Sequence, residues 1–294
     1  MIRKYLQLAR LPNVFTSPSN IVAGYLTITP VSDLNFASLG MLMLSSALLY
    51  ISGVVFNDYF DIEVDKKERP FRPLPSGSIS KQRAMQLALV LMASAVVLAF
   101  FVSWLSFIIA IFLSCAILSY DYRLKHSKFF GPITMGSTRF LNVILGASPN
   151  IYLPIQPYFL QPLFAASSMF AYVVIIALFS RKEISGIQSR KQTIILFSFV
   201  YAITASIAIA TLLDLFKMWS FVILVPFIII LGIIFKQTLS GDASAIQRAI
   251  KNMVIAIIIL DSIFVGGTAG LPYGLFTLLF LLPSVLLSRK FYVT

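Results

Sequence analysis

Ten stretches of mostly apolar residues follow one another along this 294-residue chain, and no other feature constrains its fold as much. They fall at about 14–30, 37–56, 84–104, 106–121, 131–149, 162–180, 192–213, 218–235, 249–265 and 271–288. A helix crossing the hydrocarbon core of a bilayer needs roughly 20 such residues. Inside lipid every backbone polar group must find a partner, so repeated runs of this length imply helices. Hydrophobic residues make up 59% of the chain and charged ones 12%, against roughly 45–50% and about 25% in soluble domains. An ordinary soluble enzyme, a disordered chain and a disulfide scaffold are excluded. The expected fold is all-α: a polytopic membrane bundle of nine to ten transmembrane helices, in one domain over residues 1–294. The boundary between the third and fourth spans, Ser103 to Ser106, is narrow. So is the Gly-rich turn at 266–270, before a last helix at about 271–288.

Charge supplies the orientation. Lys and Arg number 23 and Asp and Glu 11, a formal net of +12. With the N-terminus in the cytoplasm, all the basic residues fall on that side except Lys217, outside, and Arg139, inside the fifth span. Loops that stay cytoplasmic collect Lys and Arg. An even number of spans with both termini and the longer, charged loops cytoplasmic follows, in a cell inner membrane. The excess is therefore topological, and nucleic acid is not an expected partner. The apolar run after Met1 to Arg10 shows no small-residue cleavage pattern, so no signal peptide is expected. A single Cys115 and a single His126 leave no zinc or haem constellation to build.

With so few acids, each has to be explained. Asp33, Asp214 and Asp242 read as solvated loop charges. Asp121, beside Arg123 and Lys125, is either one half of a structural ion pair or part of a site. Asp261 lies deep in the ninth span, where an acid is costly; it is a functional candidate or a hydrogen-bond partner of a neighbouring helix. The remaining acids include a cluster, Asn57-Asp58-Tyr59-Phe60-Asp61-Ile62-Glu63-Val64-Asp65, with Glu68 just beyond it. Helical residues four apart share a face, so Asn57, Asp61 and Asp65 form one stripe with Asp58 beside it. Carboxylates crowded on one stripe repel unless a cation sits among them, and an oxygen-only donor set suits a hard ion such as Mg²⁺. The stripe runs into Arg69-Pro70-Phe71-Arg72-Pro73-Leu74-Pro75-Ser76-Gly77. Its three prolines predict an extended backbone holding Arg69 and Arg72 near the acids. Arginine binds phosphate through two parallel hydrogen bonds. A Mg²⁺ cage facing arginines at a membrane surface suggests a lipid-linked diphosphate.

These residues resemble the first signature of the UbiA superfamily of intramembrane prenyltransferases. Leu8-Ala9-Arg10-Leu11-Pro12-Asn13 is similar to the start of that family's first span, and Tyr120-Asp121-Tyr122-Arg123-Leu124-Lys125 to its element after the fourth. The resemblance implies a helical bundle around a central, lipid-accessible cavity. It also implies Mg²⁺-assisted transfer of a prenyl group from its diphosphate to an acceptor, often aromatic. The family's second acidic motif has Glu-Ile followed by aspartates. Here Glu183-Ile184 is followed by Ser185-Gly186-Ile187-Gln188, with no aspartate. Three features look like the divergent EboC-like subgroup: Gly131-Pro132-x-x-Met135-Gly136-x-x-Arg139-x-x-Asn142, Ser180-Arg181-x-Glu183, and the tenth span.

The expected roles are these. Asn57, Asp58, Asp61 and Asp65 hold Mg²⁺, while Arg69, Arg72, Lys125 and Lys182 clamp the diphosphate. Glu183 is a weaker second-metal or acceptor-orienting residue. Arg139, with Asn142 one turn on, contacts substrate or pairs structurally with Asp261 or Glu183. Such a site stabilises a departing diphosphate electrostatically, in a dry apolar cavity. A non-catalytic relative that binds or moves a prenyl lipid or secondary metabolite is the alternative, favoured by the missing second motif. An ion channel or proton-coupled transporter driven by Asp261 and Arg139 is the reading with least support.

Overall fold

In the computed structural model the described residues are 2–151, 159–181, 190–239 and 243–288, and among them there is no strand. The expected Lys182 and Glu183 lie outside the described residues. The chain forms α1 (Ile2–Leu8), α2 (Leu11–Val14), α3 (Thr16–Leu26), α4 (Phe36–Phe60), α5 (Ile62–Glu68), α6 (Lys81–Val102), α7 (Trp104–Tyr122) and α8 (Phe130–Ala147). It continues with α9 (Leu160–Ser180), α10 (Arg190–Leu212), α11 (Trp219–Thr238), α12 (Ala243–Ile255), α13 (Ile257–Thr268), α14 (Leu271–Thr277) and α15 (Leu281–Ser288).

Among the described residues, eight helical stretches are long and apolar enough to cross a membrane. They match the second to fourth and the sixth to tenth of the expected spans. The other two expected spans are also helical, as α3 and α8, but do not reach that mark. α3 is only 11 residues long, whereas α8, at 18, is made less apolar by its polar cargo. Ser17, Ser19 and Asn20 on α3 are buried, as is Asn142 on α8, and Arg139 is half-buried. These two helices pack on each other in the interior, so they answer to the bundle and not to lipid. Their backbones touch where side chains are missing: a Cβ on Gly24 would strike the Val143 carbonyl, and one on Gly146 the Ile21 carbonyl. Small residues are what allow such approach between membrane helices.

The two narrow boundaries resolve differently. Ser103 is fully extended, ends α6, and caps α7 by accepting from the Ser106 backbone at 3.0 Å. Gly266 and Gly267 remain helical, and the turn is made at Gly270, whose φ of +108° suits glycine, before Pro272 opens α14. Side chains fill two hydrophobic cores. One gathers α3, α4, α6 and α7, and the other α9 to α13; α8 contributes Leu145 to the first and Val143 to the second.

Candidate functional site

The acidic stripe sits where α4 ends. Asp61 interrupts the helix locally, yet its backbone N–H still reaches the Asn57 carbonyl at 3.0 Å, and that of Asp65 reaches Asp61 at 2.8 Å. The four-residue repeat therefore survives the junction and the stripe stays on one face. Asp58 and Asp65 are buried, and Asn57 and Asp61 are half-buried.

Each carboxylate meets a partner from elsewhere in the chain. Arg72 places Nη1 2.8 Å from Asp65 Oδ2 and 3.3 Å from Asp58 Oδ1. Arg10 brings Nη2 to 2.7 Å from the same Asp58 oxygen. Lys125 Nζ lies 2.6 Å from Asp61 Oδ1. That contact is ionic and lacks the alignment of a hydrogen bond, because the buried ammonium has no hydrogen-bond partner by angle. Asn57 donates its amide to Asp121 Oδ1 at 3.1 Å. This fixes the amide so that its carbonyl oxygen is the end left for a ligand.

Two guanidinium groups converging on one oxygen are not equivalent. Burial penalises the charge of both. At Arg72 this burial, with Arg10 alongside, outweighs the pull of Asp58 and Asp65, and its pKa falls. At Arg10 burial is the largest single influence, but the pulls of Asp58, Tyr50 and Asp65 together exceed it and the pKa rises. Both stay charged at neutral pH. Three cations, Arg10, Arg72 and Lys125, thus face three carboxylates, Asp58, Asp61 and Asp65.

The proline loop departs from the extended form expected of it. It folds into successive turns: Arg72 N–H bonds the Arg69 carbonyl at 3.1 Å, Ser76 bonds Arg72 at 3.0 Å, and Gly77, at φ +71°, bonds Leu74 at 3.0 Å. Leu74 and Ile79 anchor it in the core. The turns point Arg72 inward and leave Arg69 exposed at the C-terminus of α5. Arg72 is brought to the acids as expected, whereas Arg69 stands at the rim.

Arg10 was not singled out as a site residue, although it belongs to the Leu8–Asn13 element noted above. It occupies the left-handed region, φ 45° and ψ 52°, at the junction of α1 and α2. A non-glycine residue held there is uncommon and concentrates at functional positions. Its partner lies 48 positions away, which no local pattern reveals.

Deeper in the bundle a second polar cluster links α3, α4, α8 and α13. Arg139 donates to the Thr16 carbonyl at 3.2 Å, to Thr16 Oγ1 at 3.0 Å and to Asn20 Oδ1 at 3.1 Å, and its guanidinium lies 5.5 Å from the centre of the Tyr50 ring. Asp261 accepts from Ser19 at 2.6 Å and from Asn20 at 2.9 and 2.8 Å. Asn142 bonds Ser17 and Ser46. Arg139 does not pair directly with Asp261; the Asn20 amide stands between them. Of the alternatives for Asp261, the hydrogen bonds to a neighbouring helix are what the structure displays. Tyr50 lies eight residues before Asp58 on α4, about 12 Å along the axis, so this cluster lies some two turns below the rim.

Among the described residues no three acids, histidines or cysteines are grouped as the ligands of one metal ion. Mg²⁺ asks for less: one or two protein carboxylates, with phosphate oxygens and waters completing the shell. Asp58, Asp61, Asp65 and the Asn57 carbonyl are all hard oxygen donors on one face, so the residues present fit that ion.

The fold and this rim define an all-helical membrane protein with a polar site where its helices end. Residues 19–258 match the UbiA prenyltransferase family, and the chain belongs to that family. Similar proteins include the digeranylgeranylglyceryl phosphate synthases of Saccharolobus solfataricus, 30% identical over 148 residues, and Methanococcoides burtonii, 35% identical over 142. The alignments cover 49% and 46% of this chain, and 51% and 50% of those proteins, so the chain matches about half the length of these relatives. Two solved structures share the fold. One is a UbiA homologue of Archaeoglobus fulgidus bound to GPP and Mg²⁺, with TM-score 0.63 and 17% identity over 93% of this chain and 99% of that one. The other is an apo UbiA homologue of Aeropyrum pernix, with TM-score 0.67 and 14% identity over 84% and 94%.

Proposed function

We propose that this chain transfers a prenyl group from a prenyl diphosphate to a small-molecule acceptor at the membrane surface, with Mg²⁺. The observation that carries the reading is the rim. Arg10, Arg72 and Lys125 converge on Asp58, Asp61 and Asp65, beside an Asn57 oriented by Asp121. Family membership and the synthases named above support it. So does the homologue that binds GPP and Mg²⁺.

Prenyl transfer breaks the C1–O bond, with its electron pair leaving on the diphosphate. A new bond forms from C1 to the acceptor, which loses a proton. Bound Mg²⁺ would neutralise charge on the departing diphosphate and template its geometry. The chain's own cations do the rest. Arg10, Arg72 and Lys125 exchange carboxylate partners for phosphate oxygens, freeing Asp58, Asp61 and Asp65 as metal ligands. Arg69 at the rim meets the diphosphate on arrival, with Lys182. Glu183 assists as a second-metal or acceptor-orienting group. Arg139 and Tyr50 are enclosed by protein but keep some accessible surface, which suits the wall of a chamber where the allylic group and an aromatic acceptor meet. The charged loops face the cytoplasm of a cell inner membrane.

The decisive experiment offers purified protein a ladder of prenyl diphosphates, with a membrane-lipid and small-molecule extract as the source of acceptor, and follows diphosphate release. Release that requires Mg²⁺ is expected with at least one chain length. Intact binding with no release at any length would instead favour the second reading, a non-catalytic EboC-type protein that binds or moves a prenyl lipid or metabolite. The absence of aspartates after Glu183-Ile184 favours that second reading.

A further inference from the structure

Arg181 ends α9 and would be an obvious extra phosphate ligand, since it directly follows Ser180 and precedes the expected Lys182 and Glu183. Its side chain is engaged elsewhere. Nη2 donates to the backbone carbonyl of Lys125. It does so over Gly131, at the first turn of α8: a Cβ added there would collide with Arg181 Nη2 and stand 3.0 and 3.1 Å from the carbonyl oxygens of Leu124 and Lys125. Gly131 is thus the floor on which the guanidinium lies. The site is built by two helices that cannot slide, because α8 and α9 pack closely where Gly136 faces the Phe170 carbonyl and Val174.

The segment held in this way is a single 3₁₀ turn, Leu124–His126, between α7 and α8. A short turn has little of its own to hold it: His126 N–H to Arg123 at 3.3 Å and Ser127 N–H to Leu124 at 3.0 Å. Yet its central residue carries the ammonium that pairs with Asp61. A cation that must find a diphosphate oxygen needs its backbone fixed to well under an ångström, since small misplacements cost catalysis heavily.

We propose that Arg181, seated on Gly131, is a positioning residue. It locks the backbone of Lys125 so that the Lys125 ammonium reaches the diphosphate, and it does not itself bind phosphate. The inference rests on the proposed function for the identity of the anion, though the latch itself does not depend on it.

The test compares the wild type with R181M, G131A and the double variant in purified full-length protein. Inorganic diphosphate with Mg²⁺ is the ligand, and hydrogen exchange of residues 124–129 is the second readout. Losing a charged hydrogen bond at this turn is expected to weaken diphosphate binding roughly tenfold in each single variant. The double variant should be no weaker than the worse single, because both changes open one latch. Exchange in the turn should rise in all three. Normal binding in G131A beside a large loss in R181M would make Arg181 a direct phosphate ligand and overturn the proposal. If the wild type binds no diphosphate, the functional reading fails by itself. Exchange then still decides the latch, and protection of 124–129 unchanged in both R181M and G131A refutes it.

Discussion

The rim and the bundle interior both hold buried charge, and they hold it in opposite ways. At the rim, Asp58, Asp61 and Asp65 are each met by an Arg or Lys side chain. In the interior, Arg139 and Asp261 are both charged types yet never touch. Neutral groups stand around them: Thr16 and Asn20 for the arginine, Ser19 and Asn20 for the aspartate. A direct ion pair can exchange one partner for a better counter-ion, such as a phosphate oxygen, when it arrives. A carboxylate saturated by fixed hydroxyl and amide donors on a helix has nowhere to go. The rim is therefore proposed to exchange partners with a ligand, while the interior bonds hold α3 against α8 and α13.

That contrast can be broken experimentally at several strengths. The largest effect is expected at the rim. Asp58→Ala removes the acid shared by Arg10 and Arg72, and Mg²⁺-dependent diphosphate release per folded molecule should fall roughly a hundredfold or more. In the interior the signature reverses. Asp261→Leu strands the Asn20 and Ser19 donors, and stability in detergent should drop by about 3 kcal/mol, read as a lower unfolding midpoint. Turnover per folded molecule should change far less than in Asp58→Ala. Loss of turnover without loss of stability in Asp261→Leu would dissolve the distinction.

A subtler change lies between the two. Asp121→Leu removes the acceptor that orients the Asn57 amide. Groups that orient ligands in this way are typically worth about ten- to a hundredfold in metal affinity, so the Mg²⁺ concentration for half-maximal diphosphate binding should rise toward tenfold. The smallest effect is expected at Lys66. Its 2.8 Å bridge to Glu63 is exposed, and the Lys66 hydrogen bond, then its charge, hold the Glu63 carboxyl below its ordinary value. Any contribution is present at neutral pH and disappears as the pH falls through that lowered pKa. Exposed pairs contribute little, and Lys66→Ala should leave the unfolding midpoint unmoved.

Much of this was legible in the sequence because the signals were local. Span lengths, the four-residue spacing of Asn57, Asp61 and Asp65, and Ser103 as a boundary all follow from the period of a helix. Arg139 and Asp261 stood out because charge is costly inside a membrane. A structural pair between them was one of the sequence's alternatives, but its route through Asn20 was not legible, because a neutral residue costs nothing conspicuous in a list of charges. Arg10 escaped notice as a site residue because its contact with Asp58 is made by tertiary folding, helped by a left-handed backbone that composition does not reveal. The proline loop misled for a related reason: prolines fix φ, but turns at Arg72, Ser76 and Gly77 decide where the chain goes. The same turns separate Arg72, turned inward, from Arg69, left outside.

The rim is proposed to exchange its internal ion pairs for Mg²⁺ and diphosphate. Calorimetric titration of inorganic diphosphate into purified protein, with and without Mg²⁺, tests it most directly when repeated on Asp61→Ala. The account predicts binding that Mg²⁺ strengthens in the wild type, and loss of that Mg²⁺-dependent binding in the variant. Binding that is indifferent to Mg²⁺ in the wild type, or unchanged in Asp61→Ala, would contradict it.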